Sequence, residues 1–163
     1  MTDAKFSDAD EAPLRLIAQS GDDLGVVSAL VQDAVARVGD IAWMRRRRHA
    51  ALFLNRFRWE DRARAEAAGR PFERVRSVLM IAQVTAVRAS GIDASNPDGI
   101  VSVLSLRWSP RNDDPEDPSG TLYIALADHG DIAIDAEYLD LRLEDVTRPY
   151  VAPSGKAPSH DLD

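Results

Sequence analysis

The stretch WMRRRRHAALFLNRFRW, residues 43–59, decides how the chain folds. From Ala50 onward its residues sort by twos. Ala51, Phe53, Asn55, Phe57 and Trp59 fall on one face of an extended strand, and Leu52, Leu54, Arg56 and Arg58 fall on the other. Successive side chains of a strand point to opposite faces, so this period reads as β and not as helix. Upstream, Val35 to Met44 is also strand-like, with a bulge or kink expected at Gly39-Asp40. The run Arg45, Arg46, Arg47, Arg48, followed by His49, is a turn between the two. The prediction is a hairpin with four consecutive arginines at its tip and with Arg56 and Arg58 projecting from one face of its returning strand.

On the N-terminal side, Leu14 to Ala18 is a short strand, and Ser20-Gly-Asp-Asp23 opens a helix over about residues 22–33. Its apolar positions Leu24, Val27, Val31 and Ala34 recur at helical spacing. On the C-terminal side, residues 60–70 read as a short surface helix or a connector, closed by Gly69 and Pro71. Phe72 to Ala89 is too long for one strand, which places a tight turn near Ala82-Gln83. Ile100 to Trp108 is a strand with Leu104, Leu106 and Trp108 on one side. Thr121 to Ala127 and Ile132 to Ala136 form a hairpin about Asp128-His129-Gly130-Asp131. Beyond Glu137-Tyr138 the apolar phase slips by one residue, which calls for a bulge or turn and then a strand to Val146, with a helix as the competing reading. Trp43, Phe53, Phe57 and Trp108 are at strand spacing and are assigned to the core.

The fold class that follows is α+β: an antiparallel, curled sheet or partial barrel of about seven or eight strands with one N-terminal helix. The domain spans residues 13–148, between tails at 1–12 and 149–163 that are expected to be disordered.

Composition narrows the chemistry. The chain has 163 residues, is 45% hydrophobic and carries a net charge of −7, within the range of an ordinary globular domain. With no cysteine, disulfides, thiolate metal sites and cysteine nucleophiles are excluded. No stretch reaches the roughly 18 apolar residues of a membrane span, and the start is acidic and polar, so a cytoplasmic location is expected. There is no glycine-rich phosphate loop, no pair of histidines at ligand spacing and no nucleophile elbow. No cofactor or metal is called for, and the sequence points away from an enzyme. An oxygen-ligand set from Asp128, Asp131, Asp135 and Glu137 reads first as a polar hairpin surface. A small-hydrolase reading built on His129 with Asp128 or Asp131 stands as an alternative.

Charge is unevenly placed. Residues 37–88 hold 13 arginines against five acids, in a chain that is acidic as a whole. Arg45, Arg46, Arg47, Arg48, Arg56 and Arg58 are therefore the candidate binding residues, since guanidinium forks match carboxylate and phosphate. An acidic protein or polyanion is the partner this suggests. A homodimer whose basic and acidic halves pair is one alternative. Nucleic acid is another, disfavoured by the overall acidity.

Six segments, Val31-Gln-Asp-Ala-Val35, Gly39-Asp-Ile-Ala-Trp43, Asn55-Arg-Phe-Arg-Trp-Glu60, Glu73-Arg-Val-Arg76, Gly91-Ile-Asp93 and Leu143-Glu-Asp145, occur in an order that resembles an uncharacterised alphaproteobacterial family, the domain of unknown function DUF2948. The resemblance covers about residues 14–148. It implies a bacterial, cytoplasmic, non-enzymatic protein and supplies no catalytic residues. It also implies that the run at 45–48 is ordinarily poorer in arginine, making the four arginines here a local elaboration.

Overall fold

The computed structural model describes residues 12–152 and 157–158. The expected N-terminal tail, up to residue 11, and most of the expected C-terminal one lie outside the described residues. Eleven strands and two helices follow in the order β1 (Arg15–Ala18), α1 (Gly21–Val31), β2 (Val35–Arg37), β3 (Ile41–Met44), β4 (His49–Phe57), α2 (Arg62–Ala68), β5 (Glu73–Ile81), β6 (Val84–Ser90), β7 (Ile100–Pro110), β8 (Gly120–Leu126), β9 (Asp131–Ala136), β10 (Leu141–Asp145) and β11 (Tyr150–Val151). They form one sheet in the order β1-β10-β5-β4-β2-β7-β8-β9-β6, with β3 added to β4 and β11 to β5. The first and last strands of this path do not pair, so the sheet stays open.

The antiparallel sheet is as expected, but its strand count is higher. The apolar run from Val35 to Met44 is broken by a 3-10 turn at Val38–Asp40 into two strands that both meet β4, the first of them at Val35–Asn55 alone. β2 runs along β7, while β3 runs along β4. Pairing also continues past residue 148, because Tyr150 and Val151 lie opposite Arg74 and Glu73. Helices are not confined to the N-terminus: the segment after the hairpin forms α2, which ends where Gly69 adopts a φ of 64°. Residues 141–145 are strand, and the helical alternative for that segment does not occur.

The inner face is legible rung by rung. Ala50, Ile81 and Leu141 share one rung across β4, β5 and β10; Leu52, Leu79 and Leu143 share the next. These meet Leu122, Ile124, Ile132 and Ile134 from β8 and β9, and α1 closes the core with Leu24, Val27 and Val31. Each of the leucines, isoleucines and valines among them contributes about 1.5–3 kcal/mol on burial. Helix α1 starts where the sequence places it, with the Ser20 hydroxyl accepting from the Asp23 amide at 3.2 Å.

Two aromatic and aliphatic assignments change. Phe53 lies on the outer face of β4 and is 52% exposed, although its neighbour Phe57 on that face is buried. The rings of Trp59 and Phe72 pack edge-on against Phe57, at 4.7 and 5.7 Å between centroids. Leu104 is not inward either. The register of β7 against β8 jumps between Val103 and Ser105, so Leu104 is the extra residue of a bulge and the inner row passes from Val103 to Leu106.

Candidate functional site

The inner row of β4 continues past Leu54 to Arg56, and this decides the fate of that arginine. The third rung of the core is Leu54, Ser77 and Asp145, and Arg56 sits opposite Val75 one step beyond. The guanidinium is thereby directed into the protein, fully buried. Nε donates to Ser77 Oγ at 3.1 Å and to Asp145 Oδ1 at 3.2 Å. Nη2 donates to Asp145 Oδ1 at 3.0 Å and Glu60 Oε1 at 2.8 Å, and Nη1 to Glu60 Oε2 at 2.9 Å. Asp145 also accepts from the Ser77 hydroxyl at 2.7 Å and the Leu14 amide at 3.0 Å. Burial pulls the Arg56 pKa down, but the hydrogen bonds and charges of Glu60 and Asp145 outweigh it and leave the group above its ordinary value.

Arg58 is buried as well, and Nη1 donates to Glu73 Oε1 at 3.0 Å. Asp61, itself buried, receives both Nη groups of Arg70 at 3.0 and 3.1 Å. The Arg70 hydrogen bonds hold the Asp61 carboxyl below the usual carboxylate range, against the opposing effect of burial. The expectation that Arg56 and Arg58 share one outward surface with the tip is thus corrected. The face carrying Leu52 and Leu54 is the core face, and both arginines go in with it.

The tip itself is outside. Residues 45–48 form the turn between β3 and β4, with Arg48 at a φ of 57° and its amide donating to the Arg45 carbonyl at 3.1 Å. Arg45, Arg46 and Arg47 are exposed and have no acidic partner among the described residues. Arg48 is half-buried and pairs with Glu137 at 2.6 Å. Its carbonyl accepts from the Val84 amide at 2.9 Å, which ties the tip to the start of β6. Between tip and strand lies a cleft of about 530 Å³ lined by Trp43, Arg45, Arg48, Val84, Thr85, Ala86 and Val87. Among the described residues both strands beside it are edges: β3 pairs with β4 alone, and β6 ends the sheet after β9.

The β6 lining was not among the sequence candidates, and Glu137 was considered only in an oxygen-ligand set, not as the partner of Arg48. The turn near Ala82-Gln83, with Gln83 at a φ of 59°, was legible and starts β6. That β6 returns beside the arginines is a matter of sheet order, which short-range pattern does not carry.

The other candidate groups are engaged elsewhere. Asp135 accepts both Nη groups of Arg88 and the Thr121 hydroxyl, the latter at 2.7 Å. Asp128 and His129 occupy left-handed backbone positions, φ 65° and 66°, in the tight turn before β9. Among the described residues no three or more His, Asp or Glu are grouped so as to hold a metal ion, and no helix is long and apolar enough to cross a membrane. Three ion pairs, Arg48–Glu137, Arg56–Asp145 and Arg88–Asp135, join the basic stretch to the acidic C-terminal part within one chain.

The resemblance read from the residues holds: the family model for the protein of unknown function DUF2948 matches residues 14–160, and the chain belongs to that family. No curated protein and no solved structure matches the chain.

Proposed function

We propose that this DUF2948-family chain is a non-catalytic binding module that captures acidic polypeptide at the β3–β4 tip and the cleft beside it. One observation carries this reading. Arginines of the basic stretch are largely committed to internal partners (Arg37 to Asp98, Arg48 to Glu137, Arg56 to Asp145 and Glu60, Arg62 to Glu66, Arg70 to Asp61, Arg88 to Asp135), whereas Arg45, Arg46 and Arg47 have no acidic partner among the described residues. Three adjacent, uncompensated guanidiniums repel one another, and a multivalent anion relieves that repulsion while gaining charge-assisted hydrogen bonds. The cleft supplies the partly apolar wall of Trp43, Val84 and Val87, which favours a polypeptide over a bare polyanion. A nucleic-acid track needs a longer cationic surface than three residues, and the chain as a whole is negative.

The test is fluorescence anisotropy of a labelled decaglutamate peptide titrated with the full chain. Binding is expected to weaken steeply as salt rises from about 0.05 to about 0.3 M, because exposed charges are screened over about 8–10 Å. A dissociation constant weaker than about 1 mM at the low salt concentration overturns the reading. So does tighter binding of a single-stranded oligonucleotide of matched charge.

A further inference from the structure

We infer that the partner segment binds by strand addition, as an acidic extended segment that pairs antiparallel with the open edge of β6 and brings its C-terminal carboxylates to Arg45, Arg46 and Arg47. This rests on the acidic-polypeptide reading above and specifies its geometry.

The argument begins with the edge. Among the described residues β6 is bonded to β9 on one side and to no strand on the other. An uncovered edge presents a row of main-chain donors and acceptors, and proteins usually blunt such rows with lysine, proline or a covering loop. The sequence of β6, Val-Thr-Ala-Val-Arg-Ala-Ser over residues 84–90, has neither lysine nor proline. Its one cation, Arg88, is turned to Asp135 of β9, and the Thr85 hydroxyl donates to the Asp135 carbonyl at 3.3 Å. A register irregularity lies between Val84 and Ala86, but the rungs from Ala86 to Ser90 are regular. Of the remaining residues past the irregularity, Ala86 and Val87 are half-buried and Ala89 and Ser90 are exposed. Residues 86–90 span about 17 Å, enough for a short added strand.

Direction follows from the tip. The Val84 amide bonds to the Arg48 carbonyl, so the arginines stand at the N-terminal end of β6. A strand laid antiparallel to β6 ends there, and its C-terminal residues meet the guanidiniums. Antiparallel pairing is the mode of every strand pair in this sheet and is slightly the more stable per residue. Charge complementarity then selects an acidic C-terminal end.

Three octapeptides with the same set of side chains, capped at both ends, test this on the full chain. The first has threonine and valine followed by three glutamates, the second is its reverse, and the third is the first with alternate backbone nitrogens methylated. The first is expected to bind at least tenfold more tightly than either of the others, and amide hydrogen exchange of residues 86–90 is expected to slow in its complex. If all three bind alike, charge alone holds the peptide: strand addition is overturned and the arginine-tip reading stands. If the reversed peptide binds best, the antiparallel assignment is overturned. If none binds but decaglutamate does, the edge is not used. If decaglutamate also fails, both readings fall. A dimer in light scattering that the first peptide dissociates assigns the edge to a second copy of the chain and overturns the inference.

Discussion

Replacing Arg56 by methionine removes a fully buried guanidinium while keeping most of its apolar stem. Asp145, whose side chain is 5% exposed, is left with the Ser77 hydroxyl and the Leu14 amide as donors. Glu60, at 26% exposure, can turn toward water, so its loss is the smaller one. Removing one partner of a buried ion pair costs about 3–5 kcal/mol, chiefly through the charge left behind. With Glu60 able to rehydrate and methionine filling the site, the expected loss lies at the low end, about 3 kcal/mol. For a urea dependence on the order of 2 kcal/mol per molar, the unfolding midpoint falls by about 1.5 M. Intrinsic fluorescence of the three tryptophans reports it. The double variant Arg56→Met, Asp145→Leu removes both charges and should recover a large part of the loss, because an apolar replacement of a buried pair is often neutral. A midpoint shift below about 0.5 M for Arg56→Met, or a double variant less stable than the single one, refutes the reasoning.

Further outcomes follow from other parts of the fold. The Asp61 carboxyl is held below its ordinary range by Arg70, so its contribution is present above the unfolded-state pKa and is lost as pH falls through the lower folded value. Asp61→Asn should therefore lower the urea midpoint at neutral pH and flatten its decline below about pH 4; an unchanged acid limb contradicts this. A Cβ at Gly120 would stand 2.5 Å from the Ser109 carbonyl oxygen and 2.6 Å from the Trp108 ring, so Gly120→Ala should cost about 1–3 kcal/mol and shift tryptophan emission. Phe57→Ala, which empties the site between Trp59 and Phe72, should cost about 3–5 kcal/mol by urea unfolding; less than about 1 kcal/mol would mean that the aromatic cluster re-forms without it.

Period-two patterning was enough to read the hairpin, the two turns at Ala82-Gln83 and Asp128-His129, and the phase slip before β10. It gave the faces of β4 correctly but not which face is inner. Leu52 and Leu54 argued for one side, Phe53 and Phe57 for the other, and the two arginines tipped the reading outward. The deciding facts are long-range: Ser77 and Asp145 arrive on neighbouring strands from 21 and 89 residues away and make a polar end to the core. The same limit hid the cleft, since only the sheet order brings β6 beside the tip. The bulge at Leu104 was hidden because Leu104, Leu106 and Trp108 keep an unbroken period of two across it, with no phase slip to mark the extra residue.

The central claim is that one basic stretch holds two kinds of arginine, an inner set that maintains the fold and a tip set that meets the partner. The most direct measurement is the triple variant Arg45→Glu, Arg46→Glu, Arg47→Glu, assayed both for urea stability and for decaglutamate binding. The expected result is a midpoint within about 0.3 M of the parent, as for exposed positions, together with loss of binding. A large fall in stability, or binding that survives the charge reversal, contradicts the division.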